Sequence, residues 1–388
     1  MIKISNKQNC CGCAACAQAC PKQCIMMSSD NEGFLYPKVD ESVCINCGLC
    51  ERVCPELSLG IEREPKEVLA AINKDESVRM QSSSGGVFYL LAERFIREGG
   101  VVFGARFDES WQVLMDYAET LEGVQVFIGS KYVQARTDKA YIHARRFLQE
   151  GRKVLFSGTP CQIAGLRHFL RKEYDNLLTV DIVCHGTPSP KVWGRYLDEV
   201  LRECGKIKNV TFRNKTLGWR NFSFRLSYNE KDKALSISSP AGTNPYMKAF
   251  LKNLTLRPSC HDCKFKSGRS HSDITLADFW GIWNVSPQMD DDKGTSMVFV
   301  NTDKGADAMT NLDLNVVPSD YKTAKTFNSA CWKSPAPHPK RTEFFSKIDS
   351  SESLVKLIDE CTAPSYREKI RQYLSKYKHL TANLIGGG

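Results

Sequence analysis

A run of four cysteines closed by proline, Cys10, Cys13, Cys16 and Cys20-Pro21, returns as Cys44, Cys47, Cys50 and Cys54-Pro55. In the spacing C-x2-C-x2-C-x3-C-P three thiolates wrap one face of an iron–sulfur cubane, and the fourth points away to ligate a second cluster. The repeat therefore assigns Cys10, Cys13, Cys16 and Cys54 to one 4Fe–4S cluster and Cys44, Cys47, Cys50 and Cys20 to another. The small residues between ligands, Gly12, Ala14, Ala15 and Gly48, let backbone amides approach the inorganic sulfides. Tetrahedral zinc is the competing use of C-x2-C, but it joins such pairs across a longer loop and has no place for a third cysteine at this interval. The first 58 residues must fold around two clusters.

Of the 17 cysteines, ten lie within residues 10–54. An odd total so unevenly placed is not a secreted disulfide framework; in a reducing compartment clustered thiols serve as metal ligands. Cys11 and Cys24 stand outside the repeat, and no role is assigned to them or to Cys204, Cys331 and Cys361. At 388 residues, with 42% hydrophobic and 25% charged, the chain has room for two or three domains with ordinary cores. No apolar run approaches the roughly 18 residues of a spanning helix. The start, MIKISNKQNC, lacks the apolar segment of a secretory leader, so the expected compartment is the cytoplasm. The net charge of +9 is spread in doublets such as Arg145-Arg146 and Arg171-Lys172, which argues against a nucleic-acid tract. A diffusely positive surface suits a phosphate-bearing cofactor, an acidic substrate or an acidic electron carrier.

Past the cluster module (1–58), with short strands expected at Ile25–Met27 and Phe34–Tyr36, the charged stretch at 59–66 reads as a linker. Residues 67–205 alternate. Strands are expected at Val68–Ile72, Val101–Ala105, Val113–Tyr117, Val154–Ser157 and Leu178–Val183, and helices at Gly86–Arg97, Ala140–Glu150, Gln162–Lys172 and Lys191–Cys204. Such alternation predicts an α/β layer structure. Residues 207–300 turn strand-rich, at Val210–Arg213, Phe222–Tyr228, Leu235–Ser238, Ile274–Asp278 and Met297–Val300, which reads as an α+β insertion within a 206–340 unit. The remainder, 341–388, is expected to be a charged helical tail forming a solvated packing helix or an interface.

Four more cysteines fall in suggestive places: Cys161 after Gly158-Thr159-Pro160, Cys184 in Val183-Cys184-His185-Gly186, and the pair Cys260 and Cys263. Cys161 and Cys184 follow predicted strands, where α/β folds gather their sites. Spacing alone leaves a third four-cysteine cluster, a zinc site on Cys260, Cys263 and His271, and inert buried thiols all open. Ser82-Ser83-Ser84-Gly85-Gly86 before a helix offers hydroxyls and amides to a phosphate, or a plain serine cap. Gly129-Ser130-Lys131-Tyr132 places a cation beside an aromatic ring. No G-x-G-x-x-G or Walker loop is present, which disfavours nucleotide binding of the usual Rossmann kind. His185, Asp273 and Asp278 are the acid–base candidates, with His185 and Asp278 preferred.

These motifs together resemble the coenzyme F-420 hydrogenase/dehydrogenase beta-subunit family, fused to an N-terminal bacterial-type dicluster ferredoxin domain. The resemblance rests on Ser83-Ser84-Gly85-Gly86, Gly129-Ser130-Lys131-Tyr132, Phe156-Ser157-Gly158-Thr159-Pro160-Cys161-Gln162 and Val180-Asp181-Ile182-Val183-Cys184-His185-Gly186. It continues through Phe212-Arg213-Asn214-Lys215, Arg257-Pro258-Ser259-Cys260 with Cys263, Ser272-Asp273-Ile274-Thr275 and Asp278-Phe279-Trp280-Gly281. It implies an α/β (α+β) flavin-binding domain with FAD held by Ser83, Ser84, Gly85, Gly86, Ser130, Lys131 and Tyr132, with Gly158 and Thr159 beside it. It also implies a third 4Fe–4S cluster on Cys161, Cys184, Cys260 and Cys263. The implied activity is an oxidoreductase passing electrons between ferredoxin-type carriers and a two-electron donor or acceptor. Its implied substrate is a small organic molecule, in some relatives linked to surface polysaccharides. A non-catalytic electron-transfer subunit is the alternative, and no residues for coenzyme F-420 itself can be matched as a substrate site.

Overall fold

The computed structural model describes residues 1–202, 206–230 and 233–364. Near the N-terminus β1 (Ile25–Ser29) and β2 (Leu35–Val39) form an antiparallel hairpin. Helices Ala15–Ala19 and Leu49–Arg52 bear Cys16 and Cys50.

The main body is one eight-stranded sheet. Its strands are β3 (Glu67–Asn73), β4 (Val101–Phe107), β5 (Val113–Ala118), β6 (Val154–Gly158), β7 (Leu177–Ile182), then, beyond an excursion, β11, β12 and β13. The excursion is a three-stranded antiparallel sheet of β8 (Lys206–Asn214), β9 (Ser223–Glu230) and β10 (Lys233–Pro240). Strands β11 (Ile274–Asp278), β12 (Ser296–Val300) and β13 (Leu314–Ser319) return to the main sheet, whose order is β13-β3-β12-β11-β7-β6-β4-β5. Pairing is parallel along β11, β7, β6 and β4 and antiparallel at both flanks. Val154, Leu155 and Phe156 of β6 are fully buried, as central parallel strands covered on both faces must be.

The α/β expectation is met, with corrections at the edges. Ile274–Asp278 and Met297–Val300 do not belong to an insertion: β11 and β12 fill the sheet between β7 and β3, so the strand-rich texture reflects antiparallel completion of one sheet. Helix Pro160–Leu170 begins earlier than expected, because Pro160 suits the first helical turn and Gln162 closes a capping box with Thr159. Cys161 therefore lies inside a helix start. The helix expected to run to Cys204 is Pro190–Leu201, and Cys204 is outside the described residues.

Two expected surface features are docked instead. In the linker, the Arg63 N–H donates to the Ser267 carbonyl, its guanidinium to the Ser272 carbonyl, and the Lys66 N–H to the Val300 carbonyl. Helices Arg341–Lys347 and Leu354–Thr362 sink Phe344, Ile348, Leu354 and Ile358 into the core shared with Trp193, Tyr246 and Phe250. The expected tail beyond residue 364 lies outside the described residues.

Candidate redox site

A cavity of about 20 Å³ in the N-terminal module is lined by Cys20, Cys44, Cys47 and Cys50, the four ligands that spacing assigns to one cluster. Cys24 lines it as well, its Sγ 3.4 Å from that of Cys20, and the Ile2 N–H donates to the Cys50 Sγ at 3.3 Å. In the other set, burial pushes the Cys16 thiol up to about 12, with Cys10 and then Cys54 adding to the rise. Cys13 responds to Cys16 and Cys10 in turn. Cys20, the fourth cysteine of the first motif, thus lies beside the first three of the second.

The third cysteine set assembles from three segments at one end of the sheet. Cys161 opens the helix after β6, Cys184 follows β7, Cys260 sits in the turn Pro258–Asp262, and Cys263 comes directly after it. Gly186 makes the approach feasible: at φ +153° it takes a backbone form that disfavours side chains, and a Cβ there would lie 2.9 Å from Leu256 and 3.3 Å from Cys260. Cys161 and Cys184 line one cavity and Cys184 and Cys263 a neighbouring one, while the Cys260 Sγ accepts from the Thr187 N–H at 3.4 Å. Among the described residues no three or more His, Cys, Asp or Glu converge tightly enough to hold a single metal ion. His271, the ligand of the zinc alternative, hydrogen-bonds the Ile61 carbonyl at 3.2 Å. Four cysteine thiols are the donor chemistry of an iron–sulfur cluster, whose irons are held by thiolates.

Cys11, unassigned from spacing, is buried within hydrogen-bonding reach of both Cys13 and Cys161. It stands where the module meets the third set. Nothing in the sequence announces this, because the contact joins segments 150 residues apart.

A cavity of about 650 Å³, within the usual span of cofactor sites, runs from Cys11, Cys161 and Cys184 to the two proposed flavin-binding loops. Ser83, Ser84, Gly86, Ser130, Lys131, Tyr132, Gly158 and Thr159 line it; Gly85 lies behind, its N–H donating to the Ser296 hydroxyl. The loops are joined, since the Ser130 N–H donates to the Ser83 Oγ at 2.7 Å and the two hydroxyls are 2.8 Å apart. Burial alone pulls the Lys131 ammonium down to about 7; it donates to the Ile128 and Gly129 carbonyls. Tyr132 stacks on Phe250 with centroids 4.7 Å apart.

His185 and Asp278 both line this cavity, while Asp273 is taken up structurally by the Thr179 N–H and hydroxyl. The His185 Nε2 pairs with Asn253 Oδ1 at 2.6 Å. Both oxygens of Asp278 are engaged by the Arg213 guanidinium, at 2.7 and 3.2 Å, and the Trp219 indole N–H reaches Oδ1 at 3.3 Å. Burial works against the Arg213 charge, but Asp278 outweighs it and the guanidinium is held charged. Trp219 in turn stacks on Trp280, centroids 4.8 Å apart at 6°. Arg213 Nε is buried without a hydrogen-bond partner. An orphaned cationic donor, paired hydroxyls, a second buried cation and aromatic walls fit an anionic, ring-bearing cofactor such as a flavin. Sequence reasoning placed Arg213 and Lys215 within a motif but gave them no place in the site. Lys215 donates to the Arg79, Ser84 and Lys293 carbonyls, fixing the serine loop from behind.

The dicluster motif of the module, with Cys161 and Cys184 at the carboxyl ends of parallel strands and a cavity beside them, defines an iron–sulfur electron-transfer protein. More particularly, residues 9–57 match the family model of the 4Fe-4S dicluster domain, and residues 151–317 match that of the C terminus of the beta subunit of coenzyme F420 hydrogenase/dehydrogenase. The chain is 25% identical over 212 residues to the F subunit of the F(420)H(2) dehydrogenase of Methanosarcina mazei, covering 51% of this chain and 58% of that protein. It is 45% identical over 42 residues to the "Ferredoxin 7Fe" of Hydrogenibacillus schlegelii, covering 11% of this chain and 47% of the relative. The chain thus spans about half the length of the curated relatives it matches. One polypeptide of the F420-reducing NiFe hydrogenase complex from Methanosarcina barkeri is similar in structure at a TM-score of 0.46 and 18% identity, over 75% of this chain and 95% of that one.

Proposed function

We propose that this chain is an iron–sulfur flavoprotein oxidoreductase that passes electrons between ferredoxin-type carriers and a two-electron donor or acceptor, with FAD in the 650 Å³ cavity and a small organic molecule as substrate. The observation that carries the reading is the continuity of that cavity, whose lining runs from the paired serine loops to Cys161, Cys184 and Cys11. When bound, the clusters supply one-electron steps and the flavin the exchange between one- and two-electron chemistry. Ser83, Ser130 and the amides at the start of helix Val87–Arg97 are placed for phosphate, with Lys131 and Arg213 as the cations. Asp278, spent on Arg213, orients that cation; His185 is the side chain left to hold a proton at Nδ1. The family resemblance supports an organic substrate, in some relatives linked to surface polysaccharides, and the cytoplasm is the compartment the N-terminal sequence suggests. Among the described residues no helix is long and apolar enough to cross a membrane.

Anaerobic isolation should give about 12 iron atoms per chain, three four-iron clusters, together with bound flavin. About 8 iron with zinc would overturn the third cluster, and absence of flavin would overturn the cofactor. Parallel anaerobic reduction by ferredoxin, NAD(P)H and reduced coenzyme F-420 then identifies the electron donor. Turnover of a small molecule without any other protein excludes a purely electron-transferring subunit.

A further inference from the structure

Arg257 has no exposed surface and lies between the N-terminal module and the main body. Its Nε donates to the Cys10 carbonyl at 2.8 Å, Nη1 to Gln134 Oε1 at 3.0 Å and Nη2 to the Leu35 carbonyl at 3.0 Å. Nη2 also reaches the Cys10 Sγ at 3.6 Å. The guanidinium lies 4.3 Å from the centroid of Tyr36 and 5.4 Å from that of Phe34. Gly12 makes room for it, since a Cβ there would lie 2.8 Å from Nη1. Among the described residues no carboxylate pairs with it. A buried cation is costly without a compensating charge. The sulfur within its reach is that of Cys10, which belongs to the first cluster's set and is a thiolate when it ligates.

We infer that Arg257 is a positioning residue that raises the reduction potential of the first cluster through the Cys10 sulfur. A cation donating to a ligand sulfur stabilises the reduced, more negative cluster and raises its potential, and hydrogen bonds and net charge are established levers on such potentials. The cluster on Cys44, Cys47, Cys50 and Cys20 lies outside its contacts and serves as the internal reference. The inference rests on the cluster reading above; iron content tests that reading and potentials test this one, so the two can fail separately.

The experiment is an EPR-monitored redox titration of the full-length, cluster-loaded protein against R257Q and R257K. In R257Q the first cluster's midpoint should fall by at least tenfold in its one-electron equilibrium, about 59 mV. The reference cluster should stay put. R257K keeps a charge but loses the fork, so its first-cluster fall should be smaller. Unchanged first-cluster potential in a fully loaded variant overturns the inference, as does an equal fall in the reference cluster, which would mark a general disturbance. Should the variants fail to load iron, wild-type protein carrying 15N-arginine decides. Pulsed EPR of the reduced first cluster should show a coupled guanidinium nitrogen, and its absence overturns the contact.

Discussion

Gly165 shows how much rests on a missing methyl group. It lies inside helix Pro160–Leu170, where alanine would ordinarily add stability, yet a Cβ there would come within 2.8 Å of the Cys13 Cβ and 2.9 Å of the Tyr141 hydroxyl. Overpacking of this kind costs about 1–3 kcal/mol, more than the roughly 0.5–1 kcal/mol an alanine gains in a helix. Gly165→Ala should therefore lower the urea midpoint, and a gain in stability would show that the module does not seat there. Lys131 gives a second test at this scale. Its pKa is pulled down to about 7 in the fold from 10.5. Between those values the unfolded chain holds a proton that the folded chain has released, so stability rises with pH across the window and is flat below about 7. Lys215, also pulled down to about 7 by burial, acts in the same range. In flavin-free protein Lys131→Met should gain more over wild type near pH 7 than near pH 10, read from denaturant curves at the two values.

Helices Arg341–Lys347 and Leu354–Thr362 are as much part of the core as any strand. Ile358 is fully buried there, and Ile358→Ala should cost about 2–5 kcal/mol in chemical denaturation. A cost under about 0.5 kcal/mol, the level of surface substitutions, would mean the helix is not seated. The charged composition of this segment reads as a solvated tail because its apolar residues face an aromatic core built by segments far away in sequence. The same logic separates what could be read from what could not. Val154–Ser157 and Leu178–Val183 announced themselves because buried parallel strands are unbroken apolar runs. The motif cysteines were legible because cluster geometry imposes local spacing. Which sheet Ile274–Asp278 joins was not legible, since strand order is a matter of non-local pairing. Cys11 and Arg257 were likewise invisible as site residues, each acting through a contact with a distant segment.

At the scale of the molecule, the N-terminal module is held on several sides rather than tethered. Arg341 grips both carboxylate oxygens of Glu32, Phe345 packs on Phe34 at 6.5 Å, and Gln134 and Thr137 donate to the Cys11 and Cys13 carbonyls. The connecting stretch 59–66 is pinned at Arg63 and Lys66. Trypsin should therefore leave both residues intact in the native protein, and early release of a fragment ending near them would contradict this docking. The grip of Arg341 on Glu32 has a consequence in time. It joins positions 309 residues apart, so the module takes its final seat only once both have been synthesised. Until Arg341 is made, this clasp cannot hold the cysteine-bearing module against the main body.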